Sequence, residues 1–385
     1  MRRRLLALVL TAILVFTLAP AASAEKVITP GKAPLETKAA SALLMDAVTG
    51  QVLFSKEPNR RQPIASVTKI MTLLLSAEAL EKGKVRLEDM VEASEHASGM
   101  GGSQIFLAPQ EQFTFREMLI SIATASANDA SVAVAEHLAG SEEAFVQQMN
   151  EKVHALGLTN THYVNTTGLP DEGQYSSAYD QAVILREALR HPIIREVSRL
   201  KEYDLRGGKF KCWNTNKLLW WYRGADAGKT GWTNEAQFCL ASSARRDNLR
   251  LIAVVLGCPE PKSHFQESMK LFNWGFARYQ GLLLAKEGQK IKTVPVEKGT
   301  APSVDLAVAN EAAVVVPKGE TKGIGSRIEI PVRLTAPVRK GQKVGDYVLT
   351  KDGHELRRVP IVATRSVPRA TFIQQWWKIS RHILG

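Results

Sequence analysis

The 385-residue chain has only three cysteines, Cys212, Cys239 and Cys258. An odd count leaves at least one thiol unpaired within the chain, so no dense disulfide framework can hold the fold. Buried thiols behaving as small hydrophobes, or one disulfide between two of the three, remain the alternatives. There is no Cys-x-x-Cys and no His-Glu-x-x-His, so zinc chemistry has no motif to rest on. No metal and no cofactor are expected. Apolar runs of about 20 residues, the length a spanning helix needs, are also missing. No internal repeat or low-complexity tract occurs, which excludes solenoid and collagen-like architectures.

Charge is scarce where a nucleic-acid enzyme would need it. The formal net charge is +12, but residues 1–24 hold three Arg and no acid, and residues 285–385 hold 18 Lys/Arg against 9 Asp/Glu. The long stretch between them sums to zero. A binder of DNA or RNA carries its basic patch around the working site, so nucleic acid is not an expected partner.

Arg2–Arg4, the apolar run Leu5–Leu18 and the small-residue sequence Pro20-Ala-Ala-Ser-Ala24 follow the order of an export signal, with cleavage expected after Ala24. Beyond it, Ser41–Met45 and Gln51–Ser55 read as a hairpin, and Ile70, Leu73, Leu74, Ala77 and Leu80 recur at helical spacing. Residues 87–189 read as helix-rich. Gln237–Ser243 and Leu249–Leu256 read as paired strands, and His264–Tyr279 as an amphipathic helix. After Gly288 short Val/Ile runs broken by Gly and Pro (Ile291–Val296, Ala312–Pro317, Ile328–Leu334, Lys343–Leu349) predict a small all-β domain. The expected divisions are 1–24, 25–284, 285–365 and a terminal helix over 366–385. On that helix Phe372, Ile373, Trp376, Trp377, Ile379, Ile383 and Leu384 share one arc opposite a polar, cationic one. Such a helix lies in a membrane surface.

Three short motifs stand in order: Ser66-Val-Thr-Lys69, Ser126-Ala-Asn128 and Lys229-Thr-Gly231. Each alone is weak, and Ser198-Arg-Leu-Lys201 repeats the first by chance. Context separates them. Ser66 opens an apolar-periodic helix, where Ser and Lys at i and i+3 share a face and free N–H groups favour negative charge. A serine hydroxyl needs a neighbouring base. A lysine serves only when burial or a second cation lowers its pKa. Lys229 supplies that cation and suits an anionic substrate, and Gly231 lets a substrate backbone lie along the strand edge. Together these residues describe acyl transfer through a Ser66 ester.

These motifs, with Ile64-Ala-Ser-Val-Thr-Lys-Ile-Met-Thr72, Ser126-Ala-Asn-Asp-Ala130, Asn214-Thr-Asn-Lys-Leu218 and Gly228-Lys-Thr-Gly-Trp-Thr233, resemble the low-molecular-mass penicillin-binding proteins, the serine D-alanyl-D-alanine carboxypeptidase family. The resemblance spans the chain after residue 24. It implies an α/β (α+β) penicillin-recognising serine transpeptidase/β-lactamase-like fold, a second, smaller all-β domain and a C-terminal amphipathic anchor. It implies Ser66 as nucleophile, Lys69 as general base and Ser126 as proton relay. Asn128 would bond the substrate peptide. Lys229 and Thr230 would hold the terminal carboxylate, and the backbone N–H groups of Ser66 and Trp232 would form the oxyanion hole. His264, standing where many relatives carry Arg, would help hold that carboxylate; Gln174 also departs from the family's usual residue. The implied partners are the D-Ala-D-Ala stem peptide of peptidoglycan, β-lactams as covalent inhibitors, and the outer face of the cytoplasmic membrane. The rivals are a β-lactamase on the same fold and an inactive wall-binding scaffold. A class A β-lactamase needs a Glu-x-x-Leu-Asn segment that is absent between Ser126 and Lys229.

Overall fold

The computed structural model describes residues 35–374. The expected export signal and most of the expected terminal helix lie outside those residues. Among the described residues no helix is long and apolar enough to cross a membrane.

The chain opens with β1 (Ser41–Asp46) and β2 (Val52–Lys56), the expected hairpin. A 3₁₀ turn, Ala65–Thr68, then leads directly into α1 (Lys69–Glu81). The helical layer follows with β3 (Met90–Glu92), α2 (Glu95–Ser98), β4 (Gln112–Thr114), α3 (Phe115–Thr124), α4 (Asn128–Ala139), α5 (Glu142–Ala155), α6 (Ala178–Ala188) and α7 (Pro192–Ser198). A short hairpin of β5 (Glu202–Leu205) and β6 (Phe210–Trp213), then α8 (Leu218–Trp221), return the chain to the sheet. It adds β7 (Ala225–Thr233), β8 (Gln237–Arg246) and β9 (Leu249–Cys258) before α9 (Ser263–Arg278).

The five long strands form one antiparallel sheet in the order β2-β1-β9-β8-β7. β9 is central and apolar from Leu251 to Leu256 because both its faces are covered. Leu251, Ala253 and Val255 pack toward α9, while Ile252, Val254 and Leu256 join the core under the helical layer. α9 lies so close that a Cβ on Gly275 would come within 2.6 Å of Leu251 and 2.8 Å of Leu44. β7 is the edge strand. Its open edge faces the turn that carries Ser66.

The all-β domain begins earlier than the sequence suggests. β10 (Tyr279–Ala285) runs straight on from α9 and pairs with β13 (Ala312–Pro317), so the boundary lies at 279 rather than 285. β11 (Lys290–Glu297), β12 (Ser303–Val308), β14 (Ile324–Glu329), β15 (Leu334–Thr335), β16 (Lys343–Lys351) and β17 (His354–Ala363) form a second sheet, with its own apolar core. The run Ile328–Leu334 is not one strand: β14 ends at Glu329, ahead of Pro331, and Val332 is exposed. Residues 366–370 also belong here and not to a terminal helix. Val367 is buried and bonded to Val338, and the Ala370 N–H donates to the Lys298 carbonyl. The described part of the tail turns helical only after Thr371. The Thr371 hydroxyl accepts from the Gln374 N–H, and the Gln374 side chain accepts from the Thr371 N–H. Phe372 and Ile373 stand exposed there.

Gly275→Val should separate α9 from the sheet and lower stability by about 1–3 kcal/mol, the usual range for overpacking a core. Urea unfolding checks this; an unchanged midpoint would contradict the close contact.

Candidate active site

Three elements converge on Ser66. The 3₁₀ turn Ala65–Thr68 presents the half-buried serine, with Ala65 held at φ +47°. Side chains three apart eclipse in 3₁₀ geometry, and the Lys69 Nζ donates to the Ser66 Oγ at 3.0 Å. The same ammonium donates to the Asn128 Oδ1 and to the Thr167 carbonyl, each at 2.6 Å. Lys69 is fully buried and Lys229 is 2% exposed. Burial first, then the neighbouring charge of Lys229, holds Lys69 well below the ordinary lysine range; the Asp129 carboxylate pulls the other way. Burial alone brings Lys229 down to about 7. One lysine is thereby poised to accept a proton beside another that can still carry charge.

Ser126 sits between α3 and α4 in the left-handed region, at φ +61°, buried, and its hydroxyl has no hydrogen-bond partner among the described residues. Strained backbone of this kind persists only where surrounding structure enforces it. The expected substrate-binding amide is held in place by two bonds that leave one of its amide protons unspent. Asn128 spends its Oδ1 on Lys69, and its Nδ2 donates to the Gly101 carbonyl at 2.6 Å.

Lys229, Thr230, Gly231 and Trp232 follow one another on the β7 edge. The Lys229 Nζ donates to the Thr230 carbonyl at 2.8 Å, and the Thr230 hydroxyl to the Thr215 hydroxyl at 2.7 Å. Gly231 has a second physical reason. A Cβ there would fall 2.4 Å from the Ile64 carbonyl and 3.0 Å from the Ser66 N, so the glycine also admits the protein's own serine turn. Trp232 is 56% exposed.

His264 is the expectation that the structure alters most. It is 6% exposed, stacks on Phe238 at 5.4 Å and 9°, and leaves its Nδ1 without a partner. Burial pushes its pKa down to about 4. It is neutral at physiological pH and offers no charge to a carboxylate. It reaches the site only through Phe238, the residue paired with Trp232 across β7 and β8.

Several working residues escaped the motif reading. The segment 165–169 closes the third side of the site. Its Gly168, at φ +84°, lies where a Cβ would collide with the Ala65 carbonyl at 1.9 Å. Asn165 organises it, the Oδ1 accepting from the Gly168 N–H at 2.7 Å, and Gln174 staples it by accepting from the Val164 and Asn165 N–H groups and donating to the Leu169 carbonyl. Glu142 accepts from the Thr166 N–H and hydroxyl. Asp129, buried, accepts from the Ile105 and Leu107 N–H groups and so fixes the loop over Asn128. The Asn165–Gly173 interruption and the Asn214-Thr-Asn-Lys run were the visible traces of these parts. The chance motif does no such work: Ser198 ends α7, and Lys201 lies over the Trp220 ring. All three cysteines are free and buried.

A histidine whose folded pKa lies below its unfolded value of about 6.5 contributes stability that is lost as pH falls from about 6.5 toward 4. Between pH 7 and 4.5 the wild type should therefore lose about 2–3 kcal/mol more than His264→Phe, which keeps the aromatic stack. Urea unfolding of both proteins at the two pH values is the check; equal losses would remove His264 from the account.

The family profile for D-alanyl-D-alanine carboxypeptidase matches residues 27–260, and that of the penicillin-binding protein 5 C-terminal domain matches residues 279–369. The chain is 44% identical over 377 residues to the D-alanyl-D-alanine carboxypeptidase DacF of Bacillus subtilis, covering 96% of each chain. It is 34% identical over 355 residues to DacA of Escherichia coli, covering 90% of this chain and 87% of that one. Among solved structures, penicillin-binding protein 5 of Haemophilus influenzae aligns with TM-score 0.70 and 34% identity over 88% of this chain and all of that one. The Streptomyces K15 DD-transpeptidase aligns with TM-score 0.59 and 28% identity over 63% of this chain and 99% of that one. On its fold, its two domains and the converging serine and lysines, the chain belongs to the D-alanyl-D-alanine carboxypeptidase family of penicillin-binding proteins.

Proposed function

We propose that this protein removes the terminal D-Ala from peptidoglycan stem pentapeptides through an acyl-enzyme on Ser66. The observation that carries the reading is the 3.0 Å contact between the Lys69 Nζ and the Ser66 Oγ, with both site lysines buried. Lys69, its pKa lowered, takes the hydroxyl proton as the Ser66 oxygen adds to the carbonyl carbon of the penultimate D-Ala. The oxyanion that forms is met by the backbone N–H groups of Ser66 and Trp232. Ser126 passes the proton to the departing amine; the C–N bond breaks and free D-Ala leaves. Water then adds to the ester, gives up a proton by the same route, and releases Ser66 and the shortened stem. Charged Lys229, with Thr230, holds the substrate's terminal carboxylate.

In this reading a β-lactam enters as a stem-peptide mimic and acylates Ser66. The enzyme works outside the cytoplasm, delivered by the segment 1–24 and attached to the outer face of the cytoplasmic membrane by residues 371–385. The exposed Phe372 and Ile373 at the start of that segment support the attachment.

D-Ala release from a pentapeptide should fall by about three orders of magnitude or more in Ser66→Ala, the scale set by loss of a catalytic nucleophile. Intact-mass spectra should show one penicillin added to the wild type and none to the variant. Rapid loss of the adduct with hydrolysed drug in solution would mark a β-lactamase instead, and absence of both reactions an inactive scaffold.

Deletion of Thr371–Gly385 leaves the all-β core whole and should move the protein from the membrane to the soluble fraction with D-Ala release retained. Unchanged partition would refute the anchor.

A further inference from the structure

Away from Ser66, a cavity of about 1050 Å³ opens between the helical layer and the all-β domain. Its walls carry six arginines and Lys82 against five glutamates, and most of the glutamates are already engaged. Glu78 binds Lys82 and Lys152, Glu81 binds His191, and Glu187 binds Arg190. Glu287 and Glu311, with the buried Asp46 acting on Arg186 and Arg357 from beneath, remain to face the other guanidinium groups.

Four of those groups form no ion pair among the described residues. Arg186 donates to the Ala47 and Val48 carbonyls, Arg195 to the Leu189 and Arg190 carbonyls, Arg245 to the Asp247 carbonyl and Arg357 to the Ala313 carbonyl. Arg250 is held to Asp226 at 2.7 Å through one nitrogen, while its buried Nη1 has no partner. Like charges are thus gathered rather than dispersed. Burial and then Arg186 hold Arg357 below the ordinary arginine range. Burial, with Arg245 and Arg195 among the opposing charges, does the same to Arg250. Guanidinium forks concentrated in this way, with a buried donor unspent, suit planar or tetrahedral oxyanions.

We propose that this interdomain cleft binds a ligand bearing several phosphate or carboxylate groups, gripped by Arg186, Arg195 and Arg245 from the catalytic domain and Arg357 from the all-β domain, with Arg250 behind them adding its charge. The ligand pairs with guanidinium groups that form no ion pair among the described residues, and it spans both domains. Its source is either a small free polyanion or a segment of an anionic polymer outside the cell.

Calorimetric titration of the full-length protein with inorganic tripolyphosphate at physiological salt tests the site. Saturable binding is expected, weakened by about tenfold or more in Arg245→Gln/Arg357→Gln, because each lost fork removes charge-assisted hydrogen bonds. Lys340→Gln, on the exposed face of the all-β domain, should bind as the wild type does. Arg245→Lys/Arg357→Lys, which keeps the charge, should recover part of the loss, and pentapeptide hydrolysis by all variants should match wild type. Tighter binding of a long polyphosphate than of orthophosphate, at equal phosphate and ionic strength, identifies a polymer as the occupant; equal binding identifies a small anion. No binding by the wild type, or the same weakening in Lys340→Gln, overturns the proposal.

Discussion

The structure around the active centre depends on one buried ammonium. Lys69 is fully buried, and burying a cation unpaired is costly by several kcal/mol. Three fixed oxygens receive its three protons: the Ser66 Oγ, the Asn128 Oδ1 and the Thr167 carbonyl. They arrive from the 3₁₀ turn, the first residue of α4 and the segment 165–169. A displacement of any of these unsatisfies the ammonium, so the position of the lysine and the closure of the site are one constraint. Lys229 adds repulsion to that balance, and the strain is chemically useful. The state relieved by losing a proton from Lys69 is the state that activates Ser66.

Backbone packing makes the arrangement rigid. Gly168 and Gly231 both lie where the smallest side chain would strike the turn Ile64–Ser66, one from the loop side and one from β7. The serine turn is clamped between main chains, with no intervening side chain to relax. Gln174 and Asn165 hold the loop half of the clamp, while the β7–β8 ladder holds the other half. In the proposed reaction the oxyanion donors are main-chain groups, and a clamp made of main chain places them with the least freedom.

The elements with a strong period were legible from sequence: the first hairpin, α1, β8 with β9, and α9. Ser66, Lys69, Ser126, Asn128 and Lys229 stood out because the proposed chemistry constrains their spacing or order, and the structure joins Ser66, Lys69 and Asn128 by hydrogen bonds. What escaped was held by contacts across long sequence separations. The bond between Lys69 and the Thr167 carbonyl joins residues 98 apart and uses a main-chain acceptor, which any side chain could accompany. Gly231 was found for an incomplete reason, since its spatial neighbour is encoded 165 positions earlier by Ile64-Ala-Ser66. His264 was located in register, but its burial is imposed by Phe238 and Phe265. β17 went unread because its first residues are mostly exposed and charged, so alternation of apolar residues is weak there.

Charge sorts the molecule by task. The catalytic cleft keeps two lysines, and each is buried so that its proton affinity is set by geometry. The arginines between the domains are gathered with four of them in no ion pair among the described residues, an arrangement suited to the proposed external anion and of no use to proton transfer, because guanidinium stays charged at any working pH. The excess positive charge of the all-β domain and tail belongs to neither, and it lies where a negatively charged surface would attract it at range. Catalysis, capture and placement can therefore vary independently. On the proposed reading, a change in the basic surface would alter where the enzyme sits without disturbing the ammonium on which its chemistry turns.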